Sequence, residues 1–471
     1  MRQIKLSKLN ITGLCSDSKE VKKGYLFVAV KGASVDGHKY IPDAVRNGAA
    51  VVVFDQAGAE KLAHPGVEFI QVSDSKKALL ELAEKFYNAP AKKLKVIGVT
   101  GTNGKTTITY LLEAIFSSCG YYPAVIGTIN YRYKGKVIAP NNTTPGVLQL
   151  RSLFSRFVDS GVDRVIMEVS SHALDQKRTA GIDFKAAIFT NLTQDHLDYH
   201  KTMQAYFKAK SLLFRRLRKD SIAVINDDDN FGRKLKKITR AKIVTYAIDN
   251  PADLTASNIE FDMHQTRMEI RWKGKAFGLR SNLIGRHNVY NILAAVAYCL
   301  KSGISIDKIK AAIEKFEAVP GRLERVKCDR GFSVFVDYAH TPDALKNVIT
   351  TLRGLPCRRI ITVFGCGGDR DKSKRPKMGK VASSLSDYAI ITSDNPRSEG
   401  PKDIIKDIKK GIQGNNFCVI VERRSAIKKA LSLARDGDII LLAGKGHENY
   451  QIIKNRKFDF DDRKVAKECL Q

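Results

Sequence analysis

The sequence predicts an α/β protein of three units, with a phosphate-binding sheet in the middle one. Three observations predict it. Between about residues 91 and 320, apolar strand-like runs alternate with helical periodicity, the pattern of a mostly parallel sheet covered on both faces. Within that region Val96 to Thr107 reads VIGVTGTNGKTT: an apolar strand, a glycine turn, and a Lys-Thr pair opening the helical segment ITYLLEAIF. After Pro320 and Gly321 the alternation starts again, which predicts a second open α/β sheet. The predicted units are 1–90, 91–320 and 321–471.

In the first unit YLFVAV is a strand, KGASVDGHKY a loop, IPDAVRNGAA a short helix and AVVVF a second strand. SKKALLELAEKFYNAP has helical spacing and stops at Pro90. The second unit runs through VIGVT, the helix after Lys105, the strand YPAVIGTI, the helix LQLRSLFSRFVDSG and the strand VDRVIMEVS. AAIFTNL and IAVIN are later strands, and residues 242–280 alternate polar and apolar positions, a small β-rich excursion. A helix begins after Arg286-His287-Asn288. In the third unit FSVFVDYAH, RRIITVFGCGGDRD, SDYAIITSDNPRSE and DIILLAGKGHENYQ are each a strand running into a polar or glycine loop. No low-complexity segment or short tandem repeat interrupts this order.

A chain of 471 residues with 43% hydrophobic content supports several packed cores. The opening MRQIKLSKLN has no apolar signal region, and no apolar run reaches the length of a membrane span. The eight cysteines are scattered without a Cys-x-x-Cys pair, which indicates neither a zinc site nor a disulfide framework and predicts a reducing cytoplasm. The net charge of +31 raises nucleic-acid binding. Its basic residues are spread along solvated helix faces (FRRLRKD, RKLKKITRAK, KDIIKDIKK) without aromatic interleaving. The favoured reading is therefore a general field that attracts anionic substrates, with no nucleic-acid or membrane partner.

The chemistry concentrates after strands, where ligands of open α/β sheets collect. Glycines 101 and 104 let backbone N–H groups converge on an anion at a helix N-terminus. Lys105 is placed to reach the β- and γ-phosphates, and the Thr106 hydroxyl to ligate Mg²⁺. The strict phosphate-loop pattern wants glycine where Val99 stands; the strand–turn–helix context carries the reading instead. Glu168, Ser170, Ser171 and His172 follow one strand, and Asn191, Asp195, His196 and His200 follow another. Glu168 is an easy Mg²⁺ ligand and His196 a less usual one. Lys210, in AYFKAKSLLF, reads as a surface helix lysine. Asp369, Arg370, Asp371, Lys372, Lys374 and Arg375 sit beside a glycine pair, and Arg397 follows an Asn-Pro turn; both suit carboxylate or phosphate recognition. Gly444-Lys445-Gly446-His447-Glu448 is a candidate second phosphate loop that lacks a Ser/Thr after its lysine.

TGTNGKTT, MEVSSH, TNLTQDHLDYH, GRHNVYN, PGRLE and DYAHTPD, in that order, resemble the Mur ligase family of ATP-dependent amide-forming enzymes. SDSKEVKKGYLFVAVKG…DGHKYIPDA near the start and DNPR near the end are similar to the branch that extends UDP-N-acetylmuramoyl-L-alanyl-D-glutamate. The resemblance covers essentially the whole chain. It implies a UDP-binding N-terminal domain, a central P-loop ATPase and a C-terminal Rossmann-like domain. It implies that Ser16, Ser18 and the loop Ala33, Ser34, Val35 contact the uridine end, and that Asn142, Thr143, Thr144, Ser170, Gln176 and Arg178 hold the muramoyl-dipeptide. Gly101, Thr102, Asn103, Gly104, Lys105, Thr106 and Thr107 match the ATP-phosphate positions, and Asn288, Arg322, Asp337 and His340 further nucleotide positions. Lys210 matches a lysine that family members carry as a carbamate, which would complete a Mg²⁺ set with Thr106, Glu168 and His196. Lys105, Glu168, His196 and Lys210 are thereby the implied catalytic residues. Arg370, Asp394, Asn395, Pro396, Arg397, Gly444 and Glu448 match contacts to the incoming amino acid, and DNPR is the form associated with meso-diaminopimelate. Lys19 departs from the family, where arginine is usual and would make a bidentate contact.

The resemblance implies two steps, phosphorylation of a carboxylate by ATP and attack of an amine on the acyl phosphate. It places the protein in the cytoplasm, as a monomer, in peptidoglycan precursor synthesis and hence in cell-wall growth, cell shape and division. The rivals are a folylpolyglutamate synthase, a lysine-adding relative, a basic nucleic-acid-binding NTPase and a non-catalytic scaffold. Arg397, the N-terminal unit and the intact Lys105, Glu168 and His196 set weigh against them.

Overall fold

The structure, a computed structural model, describes residues 10–32, 35–454 and 456–470. Its first sheet has four parallel strands in chain order: Gly13–Cys15, Tyr25–Val28, Ala49–Phe54 and Glu68–Gln71. The sequence pattern finds the middle two and misses the outer two, which are three and four residues long. The Glu68–Gln71 strand lies at the edge and has no fully buried residue, so it carries no apolar alternation. The helix Ser75–Phe86 presents Ala78, Leu79, Leu82 and Ala83 to Leu26, Val28, Val51 and Val53. Asp74 caps it by accepting from the Lys77 N–H at 2.9 Å.

The central sheet has eleven strands. Seven are parallel: Leu254–Phe261, Lys242–Ala247, Ile222–Asn226, Phe184–Phe189, Lys95–Thr100, Arg164–Glu168 and Pro123–Ile126, in that spatial order. The polar–apolar stretch after residue 242 is no separate excursion. Its strands Thr266–Trp272 and Lys275–Ser281 extend the same sheet antiparallel at one edge, as Tyr131–Tyr133 and Lys136–Ile138 do at the other. Helices Lys105–Ser118, Arg286–Lys301 and Ile306–Lys315 bury one face, and Val147–Asp159 and Met203–Arg215 the other. Lys95–Thr100 lies between Phe184–Phe189 and Arg164–Glu168. The phosphate turn, Glu168 and the loop Thr190–His196 therefore leave neighbouring strands at one end of the sheet, where open α/β sheets bind ligands.

The third sheet has the strand order Glu324–Val326, Ser333–Asp337, Ile439–Ala443, Ile360–Phe364, Tyr388–Ile391, Phe417–Val419. All pairs but the first are parallel. Asp337, Gly365, Thr392 and Gly444 thus begin loops at one rim. Backbone packs on backbone there. A Cβ on Gly368 would lie 1.9 Å from the Pro396 carbonyl oxygen. One on Gly321, whose φ is +66°, would lie 2.0 Å from the His447 nitrogen.

Candidate active site

The phosphate turn is shaped by its neighbours. Gly101 and Gly104 have φ of +148° and +89°, and a Cβ on either would run into Thr190 Oγ1 or Asn291 Oδ1. The Asn103 N–H donates to Asn191 Oδ1 at 3.0 Å. Lys105 Nζ donates to the Gly101 and Thr102 carbonyls at 3.0 and 2.8 Å, and burial holds its ammonium below the usual lysine range. Thr102 and Thr107 are buried behind it.

Thr106 Oγ1 donates to Glu168 Oε1 at 2.9 Å. The same carboxylate accepts from the Thr128 N–H and hydroxyl, both at 2.9 Å. A buried hydroxyl beside a carboxylate fits a hard cation that keeps waters and substrate oxygens. Among the described residues no group of three or more His, Cys, Asp or Glu side chains could hold a metal by itself. Thr106 and Glu168 therefore fit Mg²⁺ shared with a nucleotide. His196 has its Nε2 3.3 Å from Asp195 Oδ2, and its ring meets His172 edge-on at 4.8 Å. Burial pushes its pKa down to about 3 against the pull of Asp195, so the ring is neutral.

Lys210 corrects the sequence reading. Only 1% exposed, it donates from Nζ to the Gly101 carbonyl at 2.8 Å and lies 4.6 Å over the Tyr206 ring. It sits on the face of helix Met203–Arg215 that carries Tyr206, Leu213 and Phe214 inward. Burial, with Lys105 second, drives its pKa well below the usual lysine range.

The residues expected on the dipeptide side gather at the other side of Glu168. Thr144 Oγ1 donates to the Glu168 carbonyl at 2.8 Å, and the Ser170 N–H donates to Thr144 Oγ1 at 3.0 Å. Thr143 Oγ1 lies 3.1 Å from Thr128 Oγ1, and the Tyr131 hydroxyl donates to the Asn142 carbonyl at 2.5 Å. Arg178 forks onto Gln176 Oε1 and reaches the Thr144 carbonyl at 3.1 Å. In the N-terminal sheet Ser16 and Val35 are exposed and Ser18 is buried. Ala33 and Ser34 lie outside the described residues. The two units are joined by Arg151, which is fully buried and donates to Glu84 Oε1 at 2.8 and 2.6 Å and to the Ala180 carbonyl at 2.5 Å.

Two cavities flank the turn on the side of the third sheet. One, of about 320 Å³, is lined by Asn103, Asp228, Tyr290, Asn291, Asp343 and Asn347 among others. The sequence reading missed most of these. The signal available was the spacing of Asn288 and Asn291 on one helix face, followed by an acidic residue just inside a helix that starts at Pro342. The second cavity, about 70 Å³, is lined by Thr106, Thr107, Asn288, Arg322, Asp337 and His340 among others. Arg322 Nη2 donates to Thr106 Oγ1 at 3.1 Å, and its buried Nε has no hydrogen-bond partner among the described residues. Asp337 accepts from the Leu323 N–H at 2.7 Å, and burial pushes its carboxyl up to about 6.

A third cavity, about 240 Å³, joins the two halves: Thr143, Asp195 and His196 face His340, Arg370, Lys374, Asp394, Asn395, Arg397, Gly444 and Glu448 across it. Asp195 lies 3.8 Å from His340 Nε2 and 3.9 Å from Lys374 Nζ. Burial works against its charge, yet His196, Lys374 and His340 hold the carboxyl well below the usual range. Arg397 has φ of +53°, fixed by hydrogen bonds of 3.0 and 2.8 Å to the hairpin Tyr450–Asp459. Its Nη1 donates to the Gly368 carbonyl at 2.7 Å. The Pro396 carbonyl packs against Gly368 and accepts from the Glu399 N–H at 3.0 Å. Arg370 is exposed at the rim. The loop 444–448 is not a phosphate loop, because Lys445 is fully buried and bonds to Asn395 and Glu448.

Residues 10–87 match the Mur ligase family catalytic domain, 99–299 the Mur ligase middle domain and 321–446 the Mur ligase glutamate ligase domain. UDP-N-acetylmuramoyl-L-alanyl-D-glutamate--2,6-diaminopimelate ligase of Clostridium botulinum is 45% identical over 99% of this chain and 97% of its own. The ligase of the same name from Aquifex aeolicus is 46% identical over 98% and 94%. A solved structure of a ligase of that name has TM-score 0.68 at 33% identity, covering 98% of this chain and 94% of its own. MurF ligase from Thermotoga maritima in complex with ADP shares the fold, with TM-score 0.69 at 20% identity over 98% and 97%. With near-complete coverage at this identity, the chain belongs to the Mur ligase family.

Proposed function

We propose that the protein is an ATP-dependent amide ligase that adds meso-diaminopimelate to the D-glutamate of UDP-N-acetylmuramoyl-L-alanyl-D-glutamate. The observation that carries the reading is the third cavity, where groups from the phosphate end of the central sheet face Arg397, Asn395 and Glu448. Its relatives bear that substrate and amino acid in their names. We take 1–90, 91–320 and 321–471 as the uridine, ATP and amino-acid domains, and the cytoplasm as the compartment, consistent with eight free cysteines. No helix among the described residues is long and apolar enough to cross a membrane.

The γ-carboxylate of D-glutamate attacks the γ-phosphorus of ATP, giving an acyl phosphate and ADP. The diaminopimelate amine then attacks the acyl carbon; phosphate leaves and the amine loses a proton. Phosphoryl transfer needs alignment and charge neutralisation more than covalent help. The turn 101–107 cradles the phosphates, Lys105 exchanges its loop carbonyls for phosphate oxygens, and the free Nε edge of Arg322 adds a donor. Asn288, Asp337 and His340 hold the nucleotide side. Ser16, Ser18 and Val35 face the uridine end; Asn142, Thr143, Thr144, Ser170, Gln176 and Arg178 hold the dipeptide. Mg²⁺, bound by Thr106, Glu168 and His196, would neutralise charge on the transferred phosphoryl group. Lys210 as a carbamate would complete the set: burial holds its amine well below the usual lysine range, which favours the unprotonated form that reacts with CO₂.

The test is phosphate release from ATP with the UDP-muramoyl-dipeptide and Mg²⁺, comparing meso-diaminopimelate, L-lysine and no amino acid. Release with meso-diaminopimelate alone is expected. Release with lysine instead would overturn the amino-acid assignment, and release with neither the ligase reading.

A further inference from the structure

The loop after the strand Ile439–Ala443 carries a buried lysine that the ligase reading leaves without a role. Lys445 has a side-chain exposure of 0%. Its Nζ lies 3.3 Å from Asn395 Oδ1 and 3.3 Å from Glu448 Oε2. Asn395 Nδ2 closes the triangle by donating to the same Glu448 oxygen at 2.8 Å. The Ile452 N–H donates to Asn395 Oδ1 at 2.9 Å, so the amide's orientation is fixed from both ends. Asp394 sits close by: a Cβ on Gly444 would lie 2.6 Å from its Oδ2.

Two carboxylates, Asp394 and Glu448, therefore share one largely dry wall of the third cavity. A like charge nearby disfavours ionisation of a buried carboxyl, and a cation beside it opposes that. Burial, and then Asp394, raise the pKa of Glu448, while Lys445 and Asn395 oppose the rise. The other groups facing Glu448 are Tyr338, Tyr450 and Arg423. Both tyrosines are neutral, with pKa values raised by burial. Arg423 is committed to Asp462 by two hydrogen bonds of 2.8 and 2.6 Å. Arg397, across the wall, spends its Nη1 on the Gly368 and Asn395 carbonyls. Among the described residues Lys445 is the cation that pairs with Glu448.

We propose that Lys445 is a positioning residue of the amino-acid site: it holds Glu448 and Asn395 in place and supplies the charge that keeps Glu448 ionised beside Asp394. The wall then presents an anion to the ammonium of the incoming amino acid, while Arg397 and Arg370 face its carboxylates. Lys445 never reaches the substrate; it acts through Glu448. The inference rests on the proposed amino-acid ligase reading.

The test is the KM for meso-diaminopimelate, with saturating ATP and UDP-muramoyl-dipeptide, from about pH 6.5 to about pH 8.5. It compares the wild-type chain with Lys445→Met, Lys445→Arg and Glu448→Gln. Removing the cation raises the proton affinity of Glu448, and one pKa unit is about a tenfold change in the ratio of ionised to protonated carboxyl. Lys445→Met is expected to raise this KM about tenfold or more at the acid end and to approach wild type as pH rises. KM for ATP stays within about twofold, and Lys445→Arg recovers most of the loss. A loss that does not depend on pH, or that falls equally on all three substrates, overturns the proposal. Should Lys445→Met fail to fold, Lys445→Met/Glu448→Gln is compared with Glu448→Gln alone. Equal diaminopimelate KM values support the role, and a further tenfold loss overturns it. A wild-type chain that releases no phosphate with diaminopimelate would instead refute the ligase reading itself.

Discussion

The guanidinium of Arg322 donates to the Thr106 hydroxyl at 3.1 Å, linking residues 216 positions apart. The segment that opens the third sheet thus touches the phosphate turn directly. Thr106 in turn donates to Glu168, so one hydroxyl connects the arginine to the carboxylate proposed for the metal. Arg322→Ala is expected to lower kcat/KM for ATP about a hundredfold, the usual loss when one positioned donor to a developing charge is removed. Coupled-enzyme assays at varied ATP check it; a change under about threefold would contradict the assignment.

Glu84 and Arg151 join the first unit to the central one. Arg151 is fully buried and Glu84 is 24% exposed at its side chain. Glu84→Ala leaves the guanidinium in a dry site with only the Ala180 carbonyl. Loss of one partner of a buried pair costs about 3–5 kcal/mol, and partial hydration of this one brings the expectation to about 2 kcal/mol. The first transition in a urea melt should move to lower concentration. KM for the UDP-muramoyl-dipeptide should rise more than KM for ATP, because Ala180 follows Gln176 and Arg178 closely.

Acid stability follows in part from buried His200 and half-buried His287, alongside His196, His340 and His447. Burial brings both His200 and His287 down to about 4. The unfolded chain protonates these rings near the ordinary value of about 6.5. Between those limits it binds more protons than the folded chain, so stability falls as pH falls. The contribution is fully present above about pH 6.5 and is lost toward about pH 4. Urea midpoints against pH should show that slope, and His200→Gln should flatten it.

Arg397 tests amino-acid choice. Arg397→Ala is expected to raise KM for meso-diaminopimelate about 10- to 100-fold, the worth of hydrogen bonds to a charged group. KM for ATP and for the UDP-muramoyl-dipeptide should stay within about twofold. A rise of the same size for all three substrates would make Arg397 a structural residue of its turn.

The three sheets were legible because apolar runs and glycine turns repeat in chain order, and a phosphate turn has few other uses. Strands Gly13–Cys15 and Glu68–Gln71 were not, being too short to show alternation. Lys210 and Lys445 read as a surface lysine and a phosphate lysine from their neighbours in sequence. Lys210 meets Gly101, and Lys445 meets Asn395, only through the strand order of the folded sheets. The cavity at Asn103 was missed for a similar reason. Its walls come from six separate segments, each contributing only a few residues.

The close approach at Gly321 has a consequence for tolerance. Any side chain there would strike the His447 nitrogen, and the backbone's left-handed turn adds its own penalty. A saturation library at position 321 should therefore return glycine alone, even though this residue need touch no substrate. The loop bearing Lys445 and Glu448 rests on that empty space. Position 321 would read in such a screen as essential as any group that performs the chemistry.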